Sequence, residues 1–272
     1  GGMVDVPLLS RFDFHAAMRR WKVQPATVTN LSALTPAQRE RSVVLVQDAF
    51  TRYFEAPLLA DLLELISRLG YQVYLAPFSA NGKPLHVQGF LSAFNRAALH
   101  NARQLRELAD VGVPLLGLDP AMTLVYRQEY LKVPGMDHCP EVALVQEWLL
   151  KVMPEQAAAD APQSFRLLAH CTEKTNAPAA TRQWEQVFER AGLKLATQAT
   201  GCCGMSGTYG HEARNRETSA VIYEQSWARQ VEAPAEQGEA LATGYSCRSQ
   251  VKRQSDRALR HPLQVLLEVV RR

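Results

Sequence analysis

A repeated alternation of short strands and longer helices is the feature that most constrains the fold of this chain. Apolar runs at residues 42–46, 71–75 and 113–118 alternate with amphipathic stretches at 58–69 and 90–111. Short, almost wholly apolar runs are typical of buried parallel strands, whereas the amphipathic spacing is typical of helices that cover a sheet. The pattern therefore predicts an α/β protein with parallel strands.

The second half of the chain repeats this order of elements. The predicted strands there are 164–169, 193–197 and 239–243, and the predicted helices are 181–191, 217–233 and 247–257. Such a repeat predicts two similar three-layer lobes with small parallel sheets, related by a pseudo-twofold axis and built with right-handed crossovers. We divide the chain into an N-terminal lead-in (1–40), a first lobe (41–140), a linker (141–163) whose part 154–163 is exposed, and a second lobe (164–272).

Composition excludes several classes of protein. The net charge is +3 over 272 residues, and the arginines cluster only locally, so we expect no nucleic-acid partner. No apolar run reaches the length of about 18 residues that a membrane span needs, and the N-terminus does not resemble a signal peptide. Five cysteines do not suit a secreted disulfide framework. We expect a cytoplasmic protein, associated with a membrane only through a partner, with thiols that are reduced or bound to metal.

Four cysteines lie close to the ends of predicted strands of the second lobe. Cys171 follows the first strand, Cys202 and Cys203 lie in a glycine-rich loop after the second, and Cys247 follows the third. Because the carboxyl ends of parallel strands share one edge of the sheet, these thiols are expected to converge. Thiolates grouped in this way suit a soft metal ion or an iron–sulfur cluster. Gly204 would let the backbone approach the bound centre and donate its N–H group to sulfur.

Other interpretations of these residues remain open from the sequence. A structural zinc site is the main alternative, since four thiolates suit tetrahedral Zn²⁺, and His170 or His211 could also serve as a ligand. Thiol–disulfide catalysis at the Cys202–Cys203 pair is a third hypothesis. The fifth cysteine, Cys139, is expected to be a small buried hydrophobic residue.

Two charged residues near these positions have two interpretations. Lys174 and Arg248 are either ordinary surface cations or groups that lower the pKa of nearby thiols. Asp48 and Asp119 follow predicted strands of the first lobe and could line a cleft. No nucleophile with a matching base is visible, so hydrolytic chemistry is not predicted.

The cysteine pattern resembles the CCG, or cysteine-rich, domain. The segment 202–210, CCGMSGTYG, looks very like the corresponding loop of the iron–sulfur subunit of anaerobic glycerol-3-phosphate dehydrogenase, and His261-Pro262-Leu263 resembles the start of the C-terminal helix in that family. The same domain occurs twice in one subunit of heterodisulfide reductase. The resemblance covers about residues 42–270 and implies that Cys171, Cys202, Cys203 and Cys247 are ligands of an iron–sulfur cluster, with zinc as the alternative.

Two departures from the family pattern matter. The family usually has a Cys-x-x-Cys motif near the end, but Gly244 stands where the first of these cysteines is expected, three residues before Cys247. The first lobe has no cysteine at the matching positions, which are Ala49, Ala80-Asn81-Gly82 and Met122. The first lobe thus resembles a CCG domain that has lost its ligands and kept its fold.

One degenerate and one nearly complete CCG lobe resemble the C-terminal region of large FAD-linked dehydrogenases of D-2-hydroxy acids, such as D-lactate or D-2-hydroxyglutarate. The resemblance implies an electron-transfer part of such an oxidoreductase, inactive on its own. It also implies upstream flavin and ferredoxin-like domains as partners, FAD bound upstream of this chain, and a separate electron acceptor.

Overall fold

The computed structural model describes residues 2–156 and 162–272, which form two compact units. The first unit comprises Ser10–Trp148. The second comprises the described part of Leu149–Val270, together with the residues up to Leu9. Each unit contains one sheet, and every pairing between its strands is parallel. The predicted α/β class with small parallel sheets is confirmed.

The first unit has a five-stranded sheet in the order β1-β3-β2-β4-β5. Its strands are β1 (Gln24–Pro25), β2 (Ser42–Leu45), β3 (Gln72–Leu75), β4 (Leu115–Gly117) and β5 (Val142–Leu144). All four residues of β2 are buried, because neighbouring strands flank it on both sides and helices cover it. Val44 lies beside Tyr74 in β3 and Leu115 in β4.

Helices of the first unit cover this sheet. They are α1 (Phe14–Arg20), α2 (Val28–Ser32), α3 (Pro36–Glu40), α4 (Ala49–Tyr53), α5 (Ala56–Arg68), α6 (Lys83–Val87), α7 (Leu91–Ala109) and α8 (Pro120–Arg127), and α9 (Val145–Val152) continues across the division between the units. The apolar stripe of α7, which includes Ala98, Ala102 and Leu105, is buried in the same core cluster as Val44 and Leu115. Helical spacing of apolar residues thus places α7 on the sheet.

The second unit has a three-stranded sheet in the order β7-β6-β8. Its strands are β6 (Ser164–Leu168), β7 (Lys194–Thr197) and β8 (Glu239–Ala242), and its helices are α10 (Cys171–Asn176), α11 (Ala180–Arg190), α12 (Arg216–Ser226), α13 (Ala228–Glu232), α14 (Tyr245–Ser255) and α15 (Pro262–Arg271). The central strand β6 is buried from Phe165 onward. Trp184 and Phe188 of α11 are fully buried, and the Phe188 ring packs edge-on against that of Phe165.

The internal repeat is visible in strand order. In both units the first strand of the repeat lies between the second and the third, giving β3-β2-β4 in one and β7-β6-β8 in the other. Three strand ends therefore adjoin at one edge of each sheet, and ligands of open parallel sheets bind at such an edge.

Several elements differ from the sequence predictions. The stretch 1–40 contains α1, β1, α2 and α3, and the stretch 141–163 contains β5 and α9. The predicted helix 217–233 is two helices, α12 and α13, separated at Trp227, whose ring is fully buried and donates Nε1–H to Gly201. Of the segment 154–163, the described residues are exposed as predicted, while 157–161 lie outside the described residues.

Within the described parts of the chain, no helix combines the length and apolar character needed to span a bilayer.

Candidate metal centre

The four cysteines of the second unit lie at the carboxyl edge of its sheet. Cys171 is the first residue of α10, three residues after the end of β6. Cys202 and Cys203 lie in the loop that follows β7, and Cys247 is in the first turn of α14, after β8. Because β6 is flanked by β7 and β8, the three segments leave the sheet side by side.

The thiols contact one another in a row. The side chain of Cys202 is hydrogen-bonded to those of Cys171 and Cys203, and Cys203 is in turn hydrogen-bonded to Cys247. The hydrogen bond from Cys171, followed by that from Cys203, lowers the pKa of Cys202 well below its ordinary value. Because Cys171 and Cys203 donate to Cys202, the pKa of each of these two thiols is raised. Contact between the thiols therefore lowers the pKa of Cys202 and raises those of Cys171 and Cys203.

The structure thus brings together all four cysteines that the sequence singled out. All four are free thiols. Cys203 and Cys247 are 3% and 1% exposed and pack in a core cluster with Leu168 and Trp227, whereas Cys171 and Cys202 are partly exposed. The row is accordingly embedded at one end and open to solvent at the other.

The row is not arranged around a common point. Among the described residues, no group of three or more His, Cys, Asp or Glu side chains is placed to hold a metal ion as it stands. The donor set nevertheless fits a thiophilic group, since four neighbouring sulfurs are the ligands that zinc and iron–sulfur clusters take.

Gly204 fixes the turn that follows the vicinal cysteines. Its φ is +89°, and a Cβ atom there would lie 2.3 Å from the backbone oxygen of Ser219. Its N–H group donates to Sγ of Cys202 at 3.3 Å, and its carbonyl accepts from Oγ of Ser219 at 2.8 Å. The backbone at Gly204 therefore lies close to the Cys202 thiol, and its contact with a bound centre stays a prediction.

Side chains from neighbouring helices hold the start of this loop. Lys174 of α10 donates to the backbone oxygen of Thr200, and to its Oγ1 at 3.1 Å. Trp227 donates Nε1–H to Gly201 at 3.2 Å, and the Gly201 N–H group donates to Ser226. Lys174 is therefore not an ordinary surface cation, because its hydrogen bonds to Thr200 hold the start of the loop in place.

His170 connects two of the segments that carry the thiols. Its Nδ1 accepts from the N–H group of Thr172 at 3.1 Å and so caps α10, and its Nε2 lies 3.2 Å from Oγ of Ser246, next to Cys247. A Cβ atom at Gly244 would lie 2.3 Å from the His170 ring. The ring therefore fills the space that a side chain at position 244 would need. Both ring nitrogens of His170 therefore lie within hydrogen-bonding distance of protein groups.

Buried polar side chains next to the cysteines form a hydrogen-bond network that connects α10, α11 and the end of β8. Glu173, which is 1% exposed, accepts from Oγ1 of Thr243 at 2.5 Å and from Nε1 of Trp184 at 3.2 Å. Arg248 is also buried and donates to the backbone oxygens of Ala242 and Thr243. Arg248 holds the end of β8 in place and is not a surface residue. Glu173 and Thr243 were not predicted from the sequence, because glutamate and threonine side chains are mostly exposed in folded proteins.

Two other candidates lie away from the thiols. His211 is buried and lines a different pocket, with Asp5, Arg216 and Arg253. Cys139 is 7% exposed and belongs to the core of the first unit, where burial raises the pKa of its thiol to about 11. Cys139 is therefore a buried hydrophobic residue, as predicted.

The matching edge of the first unit has no thiols but keeps the backbone. Gly82 has φ +76°, like Gly204, and Asn81 donates from Nδ2 to the backbone oxygen of Met122 at 3.0 Å. Asn81 and Met122 are the positions that match Cys203 and Cys247, so an amide–carbonyl hydrogen bond connects them in the first unit. Asp48 and Asp119 are buried here as helix N-caps, accepting from Thr51 and Met122.

Comparison with known proteins places the chain beside one class of enzyme, the dehydrogenases. No family model matches the chain. The D-2-hydroxyglutarate dehydrogenase of Pseudomonas putida is 69% identical over 271 residues, covering 100% of this chain and 26% of that protein. That of Escherichia coli K12 is 43% identical, covering 99% of this chain and 27% of that protein.

A more distant relative is a subunit of another dehydrogenase. The C subunit of the anaerobic glycerol-3-phosphate dehydrogenase of Escherichia coli K12 is 25% identical over 247 residues, covering 88% of this chain and 61% of that protein. The chain is therefore homologous to these enzymes, and it spans about a quarter of the length of the D-2-hydroxyglutarate dehydrogenases.

Proposed function

We propose that this chain is the C-terminal, CCG-type electron-transfer part of a flavin-dependent D-2-hydroxyglutarate dehydrogenase with iron–sulfur centres. The observation that carries the proposal is the row of four thiols at one sheet edge. The 69% identity to the Pseudomonas putida enzyme supports the choice of substrate over other D-2-hydroxy acids such as D-lactate.

In this proposal Cys171, Cys202, Cys203 and Cys247 are the protein ligands of an iron–sulfur cluster. When bound, such a cluster supplies one-electron transfer. The thiols would lose their protons on ligation. The Gly204 N–H group remains a hydrogen-bond donor to sulfur, and such donors raise reduction potentials.

The longer protein supplies the remaining parts. We propose an upstream flavin domain that binds FAD and oxidises the substrate, a ferredoxin-like domain, and a separate electron acceptor. The chain by itself does not oxidise substrate. We place the enzyme in the cytoplasm, with any membrane association provided by a partner.

Anaerobic purification followed by iron and sulfide analysis tests the cofactor. We expect stoichiometric iron and acid-labile sulfide with visible charge-transfer absorbance, and we expect both to be lost in Cys203→Ser. Cys139→Ser is the matched control, since Cys139 is a buried thiol in the other unit, and it should keep full iron content. Iron-free, colourless protein from anaerobic cells would contradict the proposal.

Zinc is the competing occupant, because the donor set is four sulfurs. Elemental analysis of the same samples separates the two. One zinc per chain, without iron or sulfide, would show that the metal has a structural role in the second unit and does not transfer electrons.

The longer enzyme tests the electron-transfer role itself. With D-2-hydroxyglutarate, Cys247→Ser should leave reduction of the flavin unchanged and decrease electron transfer to the acceptor at least about tenfold. Equal loss of both half-reactions would show that the site serves stability, and loss of neither would show that it is not on the electron path.

A further inference from the structure

A basic pocket lies in the second unit, formed by residues other than the four thiols. Its cavity volume is about 570 Å³, and its walls include Asp5, His211, Arg216, Lys252 and Arg253. Arg253 lies on α14 and Arg216 begins α12, so two helices supply its cations.

One buried donor in the pocket wall, Nη2 of Arg253, has no hydrogen-bond partner. The side chain of Arg253 is 10% exposed and its Nη1 donates to the backbone oxygen of Gly210, so the guanidinium is held in place. Buried polar groups in folded proteins are rarely left unsatisfied, and an exception indicates a missing partner.

The charges of the pocket are only partly balanced. The carboxylate of Asp5 lies 3.5 Å from Nε of Arg253 and 3.7 Å from Nη2 of Arg216. Both distances exceed those of charged hydrogen bonds, which are about 2.7–2.9 Å. Lys252 pairs with Asp256 at 2.6 Å, which leaves one carboxylate to face two guanidinium groups.

Backbone contacts of the N-terminal segment place Asp5 in the pocket. Val4 N–H donates to the backbone oxygen of His211 at 2.6 Å, and Ala213 N–H donates to that of Gly2 at 2.9 Å. Asp5 itself has φ +51°, a left-handed conformation that aspartate adopts more readily than most residues with a Cβ atom. Its carboxylate is half-exposed and lies beyond charged hydrogen-bonding distance of both guanidinium groups.

We propose that this pocket binds a small oxyanion, a phosphate or a carboxylate, and that Asp5 is its intramolecular competitor. Planar guanidinium groups bind both kinds of oxyanion with paired, charge-assisted hydrogen bonds. An incoming anion would accept from Nη2 of Arg253 and from Arg216 at hydrogen-bonding distance, which Asp5 does not. The site is independent of the proposed electron transfer and of any metal at the thiols.

Isothermal titration of the chain with inorganic phosphate, and separately with glutarate as a carboxylate probe, tests the proposal at constant ionic strength. Asp5→Asn should tighten binding of the preferred anion about two- to fivefold, because it removes the competing charge. Arg216→Gln should weaken binding about tenfold, because it removes a charged donor. Arg182→Gln is the control, since Arg182, like Arg216, is an exposed arginine of the same unit but lies outside the pocket.

The signs of these changes decide the result. The anion that responds to both variants identifies the ligand class. Binding that is absent for both probes, or that weakens equally in Arg216→Gln and Arg182→Gln, or that Asp5→Asn does not tighten, would overturn the proposal. These outcomes do not depend on iron content, so they separate this site from the function of the thiols.

Discussion

At the residue scale, Asp48 and Asp119 show how the first unit fills the positions next to its strand ends. Each caps the helix that follows a strand, as His170 does in the second unit. Both carboxyl groups are buried, at 8% and 2% exposure. Burial, and then the charge of Asp119, raises the pKa of Asp48 to about 7. The folded state would therefore be more stable with an uncharged side chain at position 48 than with the ionised carboxylate.

This burial predicts a pH dependence of stability. Folding raises the pKa of the Asp48 carboxyl group from 3.8 to about 7, so the folded state binds the proton more tightly than the unfolded state does. The contribution of Asp48 to stability is therefore fully present below about pH 4 and is lost as the pH rises through 7. Asp48→Asn keeps an N-cap and removes the charge, so it should stabilise the first unit at pH 8 by roughly 1–3 kcal/mol and have little effect at pH 4. Hydrogen exchange of the β2 amides measures this. A stabilisation that is equal at both pH values would contradict the assigned cause.

Residues that carry the candidate chemistry were easier to predict than those that support them. The four cysteines are rare residues at strand ends, so their convergence followed from the geometry of parallel sheets. Glu173, Thr243 and Ser219 were missed, because buried polar partners are chosen by contacts between segments far apart in sequence. His170 was predicted as a candidate ligand, but its ring nitrogens are used to cap α10 and to reach Ser246.

At the scale of elements, the loop after β7 depends on backbone conformations that only glycine adopts without strain. Gly204→Ala should destabilise the second unit by about 2–4 kcal/mol, because the new Cβ would overlap the Ser219 carbonyl in addition to the strain of a positive φ. Gly207→Ala is the matched control. Gly207 also has positive φ, +66°, but no atom lies within 4 Å of its added Cβ, so it should cost only about 1 kcal/mol.

Chemical denaturation, followed by the fluorescence of Trp184 and Trp227, measures both variants. Equal losses would show that strain alone, and not the approach to Ser219, determines the need for glycine at 204.

The strands β2, β3, β4, β6, β7 and β8 were predicted from the sequence, and β1 and β5 were not. β1 has two residues, one of them Pro25, and β5 has three residues that lead directly into α9, so neither stands out as a separate strand in the sequence. The interruption between α12 and α13 was missed because it depends on the tertiary contact of Trp227 with Gly201.

At the scale of the whole molecule, the division into two units predicts a local effect of cofactor loading. A ligand that binds only the folded state stabilises it, by about 3 kcal/mol or more when it is bound tightly. Iron reconstitution should therefore increase hydrogen-exchange protection in β6, β7 and β8 and leave β2 and β3 unchanged. Cys203→Ser should show no increase. A comparable gain in the first unit would show that the two units fold as one.

The packing of Cys203 and Cys247 has a consequence for how the protein responds to oxidation of its thiols. Trp227, Val251 and Leu168 pack with them in one apolar core cluster. We therefore expect oxidative damage at the exposed end, where Cys171 and Cys202 lie, to empty the site and leave the scaffold standing. Restoring the site would then require only reduction of the thiols and new metal and sulfide, and the protein chain would not have to be synthesised again.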